Sequence, residues 1–129
     1  MNRITKVFLW VGVACGIVAL AEIFLPWSLI EPQLLWGGMK QSVSDPQVQY
    51  WFRMAMGAWV ILGLIFLAAA LRPEKYAGLA PLLGLGLLFE GCVLLVQGLA
   101  LGLPWFPFCC DVAFCLVVGV GLLVGRRKR

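Results

Sequence analysis

Residues 79–102 read LAPLLGLGLLFEGCVLLVQGLALG, and this stretch decides the fold of the chain. It holds ten Leu, two Val and one Phe, and its single charged residue is Glu90. A helix needs about 20 mostly apolar residues to cross a bilayer. On insertion scales the apolar residues together contribute roughly −4 to −8 kcal/mol, which exceeds the cost of about 2.5 to 3.5 kcal/mol for one charge. We therefore predict a transmembrane helix over residues 79–102.

Three further stretches share this apolar character, and the composition of the whole chain agrees with them. Of the 129 residues, 63% are hydrophobic and 12% are charged. A soluble domain carries about 25% charged residues. The further stretches are residues 7–30, 50–71 and 109–125. The predicted fold class is therefore all-α, with one transmembrane domain over residues 1–129 that forms an integral membrane four-helix bundle.

The basic residues indicate how the chain is oriented in the membrane. If there are four spans, eight of the ten Lys and Arg residues fall on one side, and these are Arg3, Lys6, Arg72, Lys75, Arg126, Arg127, Lys128 and Arg129. Basic residues concentrate on the cytoplasmic side of membrane proteins. We therefore expect both termini to be cytoplasmic, in a bacterial inner (plasma) membrane. The outer interface then receives an aromatic belt of Trp27, Trp36, Trp51 and Trp105.

The first apolar stretch has a competing interpretation as a cleaved signal peptide. Ala19-Leu20-Ala21 has the small-residue pattern of a cleavage site, and cleavage there would leave three spans with Glu22 at the new N-terminus. The apolar run, however, resumes after Glu22 as IFLPWSLI. This continuation favours an uncleaved transmembrane helix.

Proline and Asp positions predict where the helices begin and end. Asp45 can cap the free N–H groups of a helix, and Pro46 has the backbone angle of a first helical position. We expect a polar outer loop over residues 31–49, a tight turn over residues 72–78, and a proline-rich aromatic turn over residues 103–108.

Small residues recur along three of the predicted helices. They allow two backbones to approach closely, which drives helix association where lipid offers no hydrophobic force. The residues concerned are Gly12, Cys15, Gly16 and Ala19, then Ala77, Gly84, Gly91 and Gly98 at intervals of seven, then Gly119, Gly121 and Gly125. We expect them to pack the helices of one chain together, with a homo-oligomer seam as the alternative.

Five polar residues interrupt the apolar stretches, and we select them as candidate sites for ligand binding or proton exchange. They are Glu22, Arg53, Glu90, Gln97 and Asp111. An acid within a span should face the bundle and be paired, hydrated or protonated. Since Arg53 is the only cation among them, we expect it to contact at least one of the acids.

Structural explanations exist for several of these residues. Asp111 would open the last helix, where an acid most often caps the free N–H groups. Arg53 with Glu22 or Glu90 could form an ion pair that only fixes the order of the helices. Pro26, four residues after Glu22, removes the helical hydrogen bond to the carbonyl of residue 22 and predicts a kink there.

Absent residue types limit the chemistry of the chain. It has no His, and its five Cys residues contain no CxxC pair. His-ligated haem, imidazole–metal sites and His-based catalytic dyads are therefore excluded. We expect no catalytic residue, no metal site, no cofactor and no enzymatic activity. The basic residues cluster between apolar runs, a pattern that suits an anionic lipid surface and argues against a nucleic-acid partner.

The last 80 residues carry a family resemblance. The segment YWFRMAMGAWVILGLIFLAAALRPEKY, the glycines that follow it, and CCDVAFC resemble small bacterial four-span membrane proteins of the BphX-like group. The resemblance implies the four-span architecture only. It implies no activity and no site residue.

Two functional hypotheses follow. In the first, the chain binds or helps to transport a small molecule or lipid through an intramembrane polar pocket, with Glu22 and Glu90 supplying charge or proton exchange and Arg53 acting as counter-ion or anion anchor. In the second, the chain is an accessory subunit with no ligand of its own. Membrane lipid is the expected partner in both, together with a small-molecule ligand in the first and a homo-oligomer or larger membrane complex in the second.

Overall fold

The chain folds entirely into helices in the part that the structure describes. The computed structural model describes residues 3–39, 43–103 and 105–124, apart from the side chains of residues 106 and 107. Five helices lie in these ranges: α1 (Arg3–Phe24), α2 (Trp27–Trp36), α3 (Pro46–Leu71), α4 (Leu79–Ala100) and α5 (Trp105–Val124). The all-α prediction is confirmed.

Three of the helices are long and apolar enough to cross a membrane, namely α1, α3 and α4. The apolar part of α5, Phe108–Val124, is shorter and reaches about 25 Å at about 1.5 Å per residue. Large apolar side chains point outward on every long helix, including Phe24 at 79% exposure and Phe89 at 72%. An outward apolar surface of this kind is typical of a chain surrounded by lipid.

The first predicted span, residues 7–30, is wrong as one continuous helix. Helix α1 ends at Phe24, and α2 begins at Trp27, directly after Pro26. The last helical bond of α1 runs from the Leu25 N–H to the Ala21 carbonyl over 3.1 Å. Proline has no N–H to continue the series, so the expected kink becomes a full break between two helices.

The start of α3 follows the prediction from Asp45 and Pro46. The Asp45 Oδ1 atom accepts a hydrogen bond of 2.7 Å from the Gln47 N–H, and Pro46 is the first helical residue. The predicted turn over residues 103–108 is wrong in its second half, because α5 already begins at Trp105. Pro107 falls in the first turn of α5, where a backbone N–H is not needed.

Helices α1 and α3 pack against each other through glycines. A Cβ atom added at Gly63 would lie only 2.7 Å from the Cα atom of Gly16, so the two backbones touch at this point. One turn away, a Cβ atom at Gly12 would meet the Phe66 ring at 2.5 Å. The order of these contacts makes the two helices antiparallel. Gly12 and Gly16 therefore pack within the chain, as predicted.

Helices α4 and α5 form a second antiparallel pair through the glycines that recur every seven residues. A Cβ atom at Gly84 would lie 2.9 Å from the Gly119 carbonyl oxygen, and one at Gly91 would lie 2.9 Å from the Leu116 side chain. At the other end of the helices, a Cβ atom at Gly98 would meet the Phe108 ring. The prediction of packing within one chain is confirmed for these glycines.

The two pairs are joined where α1 meets α5, and Gly121 leaves room there for the Phe8 ring. A single buried core lies at the centre of the four long helices and consists of Leu9, Val13, Phe66, Ala69, Leu87, Cys115, Val118 and Leu122. The lateral order of the helices is α3, α1, α5, α4. Helices α3 and α4 share little direct contact although they are consecutive in the chain.

We predict that Gly63→Ala lowers the free energy of unfolding more than Gly57→Ala by about 1–3 kcal/mol, the usual cost of overpacking. Both glycines lie inside α3 and gain the same helix propensity, but Gly57 has no heavy atom within 4 Å of an added Cβ. Reversible unfolding in mixed detergent micelles measures the difference. Equal stability of the two variants would show that α1 and α3 do not touch at Gly63.

Candidate ligand groove

A groove of about 450 Å³ lies between α3 and α4. It is long and open because the two helices share little contact along this seam. The volume is within the range of about 300–1,000 Å³ that is typical of ligand sites. The groove is lined by Ala55, Ala58, Trp59 and Leu62 from α3 and by Leu82, Leu83, Gly86, Leu87 and Glu90 from α4.

Small residues and one aromatic ring shape the walls of this groove. Ala55 and Ala58 on α3 and Gly86 on α4 leave space between the helices, and no heavy atom lies within 4 Å of a Cβ added at Gly86. The Trp59 ring packs edge-on against Phe114 of α5, with 6.0 Å between the ring centroids and an interplanar angle of 67°. This contact ties α3 to α5 and fixes the Trp59 ring at the groove.

Among the described residues, Glu90 is the only ionisable one in the lining of the groove, and its side chain is exposed. The expectation that it faces the bundle interior is wrong. Consecutive helical residues point about 100° apart, and it is the next residue, Gly91, that faces α5. Glu90 is therefore rotated out of the packed seam and into the groove.

The depth of Glu90 in α4 makes its isolation costly. It lies eleven residues after Leu79, which places it about 16 Å along a helix of about 33 Å. An ionised carboxylate at the centre of a span costs about 2.5–3.5 kcal/mol unless it is paired or hydrated. Within the described ranges, no side chain or backbone group forms a hydrogen bond or ion pair with the Glu90 carboxylate.

Arg53 does not bind an acid, contrary to the expectation from the sequence. Its guanidinium donates one hydrogen bond to the carbonyl of Ile23 and another, of 3.3 Å, to the carbonyl of Leu25. Both carbonyls belong to the segment in which α1 breaks. Among the residues that the structure describes, no carboxylate forms an ion pair with this guanidinium.

The break at Pro26 explains why Arg53 binds these carbonyls. In a continuous helix the Leu29 N–H would bond to the carbonyl of Leu25, but here it bonds to the carbonyl of Pro26 over 3.0 Å. The freed carbonyls at the end of α1 need donors and carry the negative end of the helix dipole. A cationic side chain with several N–H groups satisfies both requirements. Arg53 therefore acts as a C-terminal cap from a neighbouring helix.

The remaining candidate residues do not take part in this cap. Glu22 is half-buried on α1, next to Ile23. Gln97 has an exposed side chain near the end of α4, and Asp111 is exposed on α5. The prediction that Asp111 opens the last helix and caps it is wrong, because α5 begins at Trp105 and Asp111 falls in its second turn. The helix can begin before Asp111 because Pro107 lies in its first turn, where a backbone N–H is not needed.

The five candidate residues therefore do not form one polar pocket. Glu90 lies on α4, and Asp111 lies on the neighbouring helix α5. The Arg53 guanidinium lies at the α1–α2 break. Glu22 directly precedes Ile23, whose carbonyl accepts a hydrogen bond from Arg53. Only Glu90 lines the groove.

Helix α2, which follows α1, contacts α3 and the segment before α3. Trp27 packs edge-on against Phe52 of α3, with 5.8 Å between the ring centroids, and Ile30 is fully buried. The Ser44 hydroxyl donates a hydrogen bond of 3.1 Å to the Glu31 carboxylate, which joins α2 to the segment before α3. Together with the Arg53 cap, these contacts hold α2 across the start of α3.

Most residues of the groove were not among the residues selected from the sequence, namely Trp59 and the small residues Ala55, Ala58 and Gly86. A signal for Trp59 existed. Transmembrane tryptophans concentrate at the interfaces, and a tryptophan in the middle of a span is unusual. Gly86 lies outside the seven-residue series of Gly84, Gly91 and Gly98, which placed it on a different face of α4.

No protein-family model, curated protein or solved structure matches this chain. The resemblance to the BphX-like group stays a prediction. Among the described residues, no three His, Cys, Asp or Glu side chains form a group that could hold a metal ion.

We predict that Arg53→Met lowers the free energy of unfolding by about 1.5–3 kcal/mol, the contribution of a hydrogen bond to a charged group, because the two carbonyls lose their donor. Glu22→Gln should change it by less than about 0.5 kcal/mol, as at a site without a specific partner. Unfolding in mixed micelles measures both variants. A larger loss for Glu22→Gln than for Arg53→Met would restore the ion-pair interpretation.

Proposed function

We propose that this chain is an integral membrane protein that binds an amphiphilic small molecule or lipid in the α3–α4 groove. The single observation that carries the proposal is the position of Glu90. It is a carboxylate at mid-span, exposed in an otherwise apolar groove, with no partner in the described part of the chain. A ligand with an apolar body and one polar group would fill the groove and pair with Glu90. Assistance in transporting such a ligand belongs to the same proposal.

The proposed membrane arrangement has four spans with both termini in the cytoplasm of a bacterium. The support is the side on which eight of the ten basic residues fall, and the apolar length of α1, α3 and α4. Helix α5 packs along α4 through glycines, so it would lie in the bilayer with its partner. In this arrangement α2 lies at the outer surface, and α2 begins and ends with Trp27 and Trp36.

We predict that an impermeant maleimide labels a cysteine placed at Ser44 in intact spheroplasts and does not label one placed at Lys75. The first position lies before α3 and the second lies between α3 and α4, on opposite sides of a spanning α3. The five native cysteines are first replaced by alanine. Labelling of both positions after permeabilisation is the control. Labelling at position 75 alone in intact spheroplasts would reverse the orientation.

We predict that Gly86→Leu weakens the binding of co-purifying lipid by about tenfold or more, equivalent to 1.4 kcal/mol. The new side chain would occupy the groove, where Gly86 has open space. Gly57→Leu is the matched control, because Gly57 is also a helical glycine with open space but does not line the groove. Native mass spectrometry of the detergent-purified protein measures lipid retention. Equal retention by the two variants would contradict the proposed function.

An accessory role is the second candidate, and the small residues of the groove favour it. Ala55, Ala58 and Gly86 would let the helix of another membrane protein, or of a second copy, approach the backbones of α3 and α4 closely. In that case Gly86→Leu would change the mass of the purified particle in detergent and leave lipid retention unaltered.

A further inference from the structure

We propose that the ligand of the α3–α4 groove is a lipophilic organic cation, with Glu90 as its counter-ion and Trp59 as an aromatic contact. The inference rests on the proposed function and specifies the chemical class of the ligand. It concerns a molecule with one amine, quaternary ammonium or similar cationic centre attached to an apolar body.

The charge of the groove favours a cationic ligand. Among the residues that the structure describes, Glu90 is the only ionisable one in the lining, so the only charge that this lining can supply is negative. An anionic ligand would therefore be repelled, whereas a cation would gain an attraction that a bilayer interior screens very little.

Arg53, the cation inside a predicted span, is not available to Glu90. Arg53 lies on α3, the same helix as the groove residues Ala55, Ala58 and Trp59. Its guanidinium is bound to the carbonyls of Ile23 and Leu25. Those two hydrogen bonds direct it toward α1 and away from Glu90. Among the described residues Arg53 is thus not available to Glu90, and a cationic molecule that enters the groove would supply a positive charge.

The remaining lining of the groove suits a ligand with an apolar body and a cationic centre. All other lining residues that the structure describes are Ala, Gly, Leu or Trp, so an apolar ligand body would pack against apolar side chains there. Trp59 is the aromatic residue best suited to attract a cation, and its contact with Phe114 holds the ring in place. The open seam between α3 and α4 gives such a ligand a lateral path from the bilayer.

The experiment compares two probe ions of nearly equal size and shape but opposite charge, tetraphenylphosphonium and tetraphenylborate. Their binding to the purified full-length protein in maltoside micelles is measured by equilibrium dialysis. We expect wild type to bind the cation at least about tenfold more tightly than the anion. Glu90→Gln should remove most of this preference, and Glu90→Asp should keep it. Glu31→Gln, outside the groove, should leave it unchanged.

Four outcomes would overturn the proposal. The first is equal binding of the two ions to wild type, and the second is a cation preference that survives Glu90→Gln. The third is cation binding that survives Gly86→Leu, because the ion would then bind elsewhere. The fourth is a particle mass that changes with Gly86→Leu while neither affinity depends on Glu90, which would place a second copy in the groove.

The two levels of the proposal can fail separately. If lipid retention depends on Gly86 but the cation preference does not depend on Glu90, the groove binds ligands and only the cationic class is wrong. If neither lipid retention nor ion binding responds to Gly86→Leu, the proposed function itself fails. Circular dichroism and monodispersity of each variant show that the fold is intact before binding is compared.

Discussion

The contact of backbones at glycines is the constraint on which the rest of this structure depends. Lipid is as apolar as a leucine side chain, so helices in a bilayer gain little from burying leucine against leucine, and close packing must hold them together. The contacts of Gly16 with Gly63 and of Gly84 with Gly119 produce two tight antiparallel pairs. No such contact joins α3 to α4. The groove is thus the seam that the glycines leave unpacked, and its position follows from where they lie.

The break in the first predicted span is caused by Pro26, and Arg53 compensates for it. Pro26 removes a backbone donor and separates α1 from α2, and the carbonyls of Ile23 and Leu25 then need partners in a region with little water. Arg53 supplies them from α3. The single cation inside a predicted span is therefore committed to backbone groups. Arg53 therefore has a structural role, whereas the Glu90 carboxylate has no partner among the described residues.

Arg53 and Glu90 show that an acid and a base inside predicted spans need not pair with each other. An acid and a base within spans suggest an ion pair, because each is costly alone. Here backbone carbonyls compete successfully for the guanidinium, since a broken helix presents several of them at a dipole terminus. Glu90 lies about half-way along α4, on a face turned away from the packed seam with α5. The proposed ligand site follows from this separation of the two charges.

The sequence by itself determined that the chain is all-α, which stretches form the long helices, where α3 begins, and that Gly84, Gly91 and Gly98 pack inside the chain. These features depend on local composition and on a repeat of seven, both of which can be read along one helix. The sequence also identified Glu90 and Arg53 as the residues that need an explanation. Only the tertiary structure decided what each contacts. The lateral order of the helices, the face on which Glu90 emerges and the binding of Arg53 to the end of α1 depend on rotations and neighbours that a single helix does not encode. Gly86, Ala58 and Trp59 became parts of one groove only when α3 and α4 were placed side by side without touching.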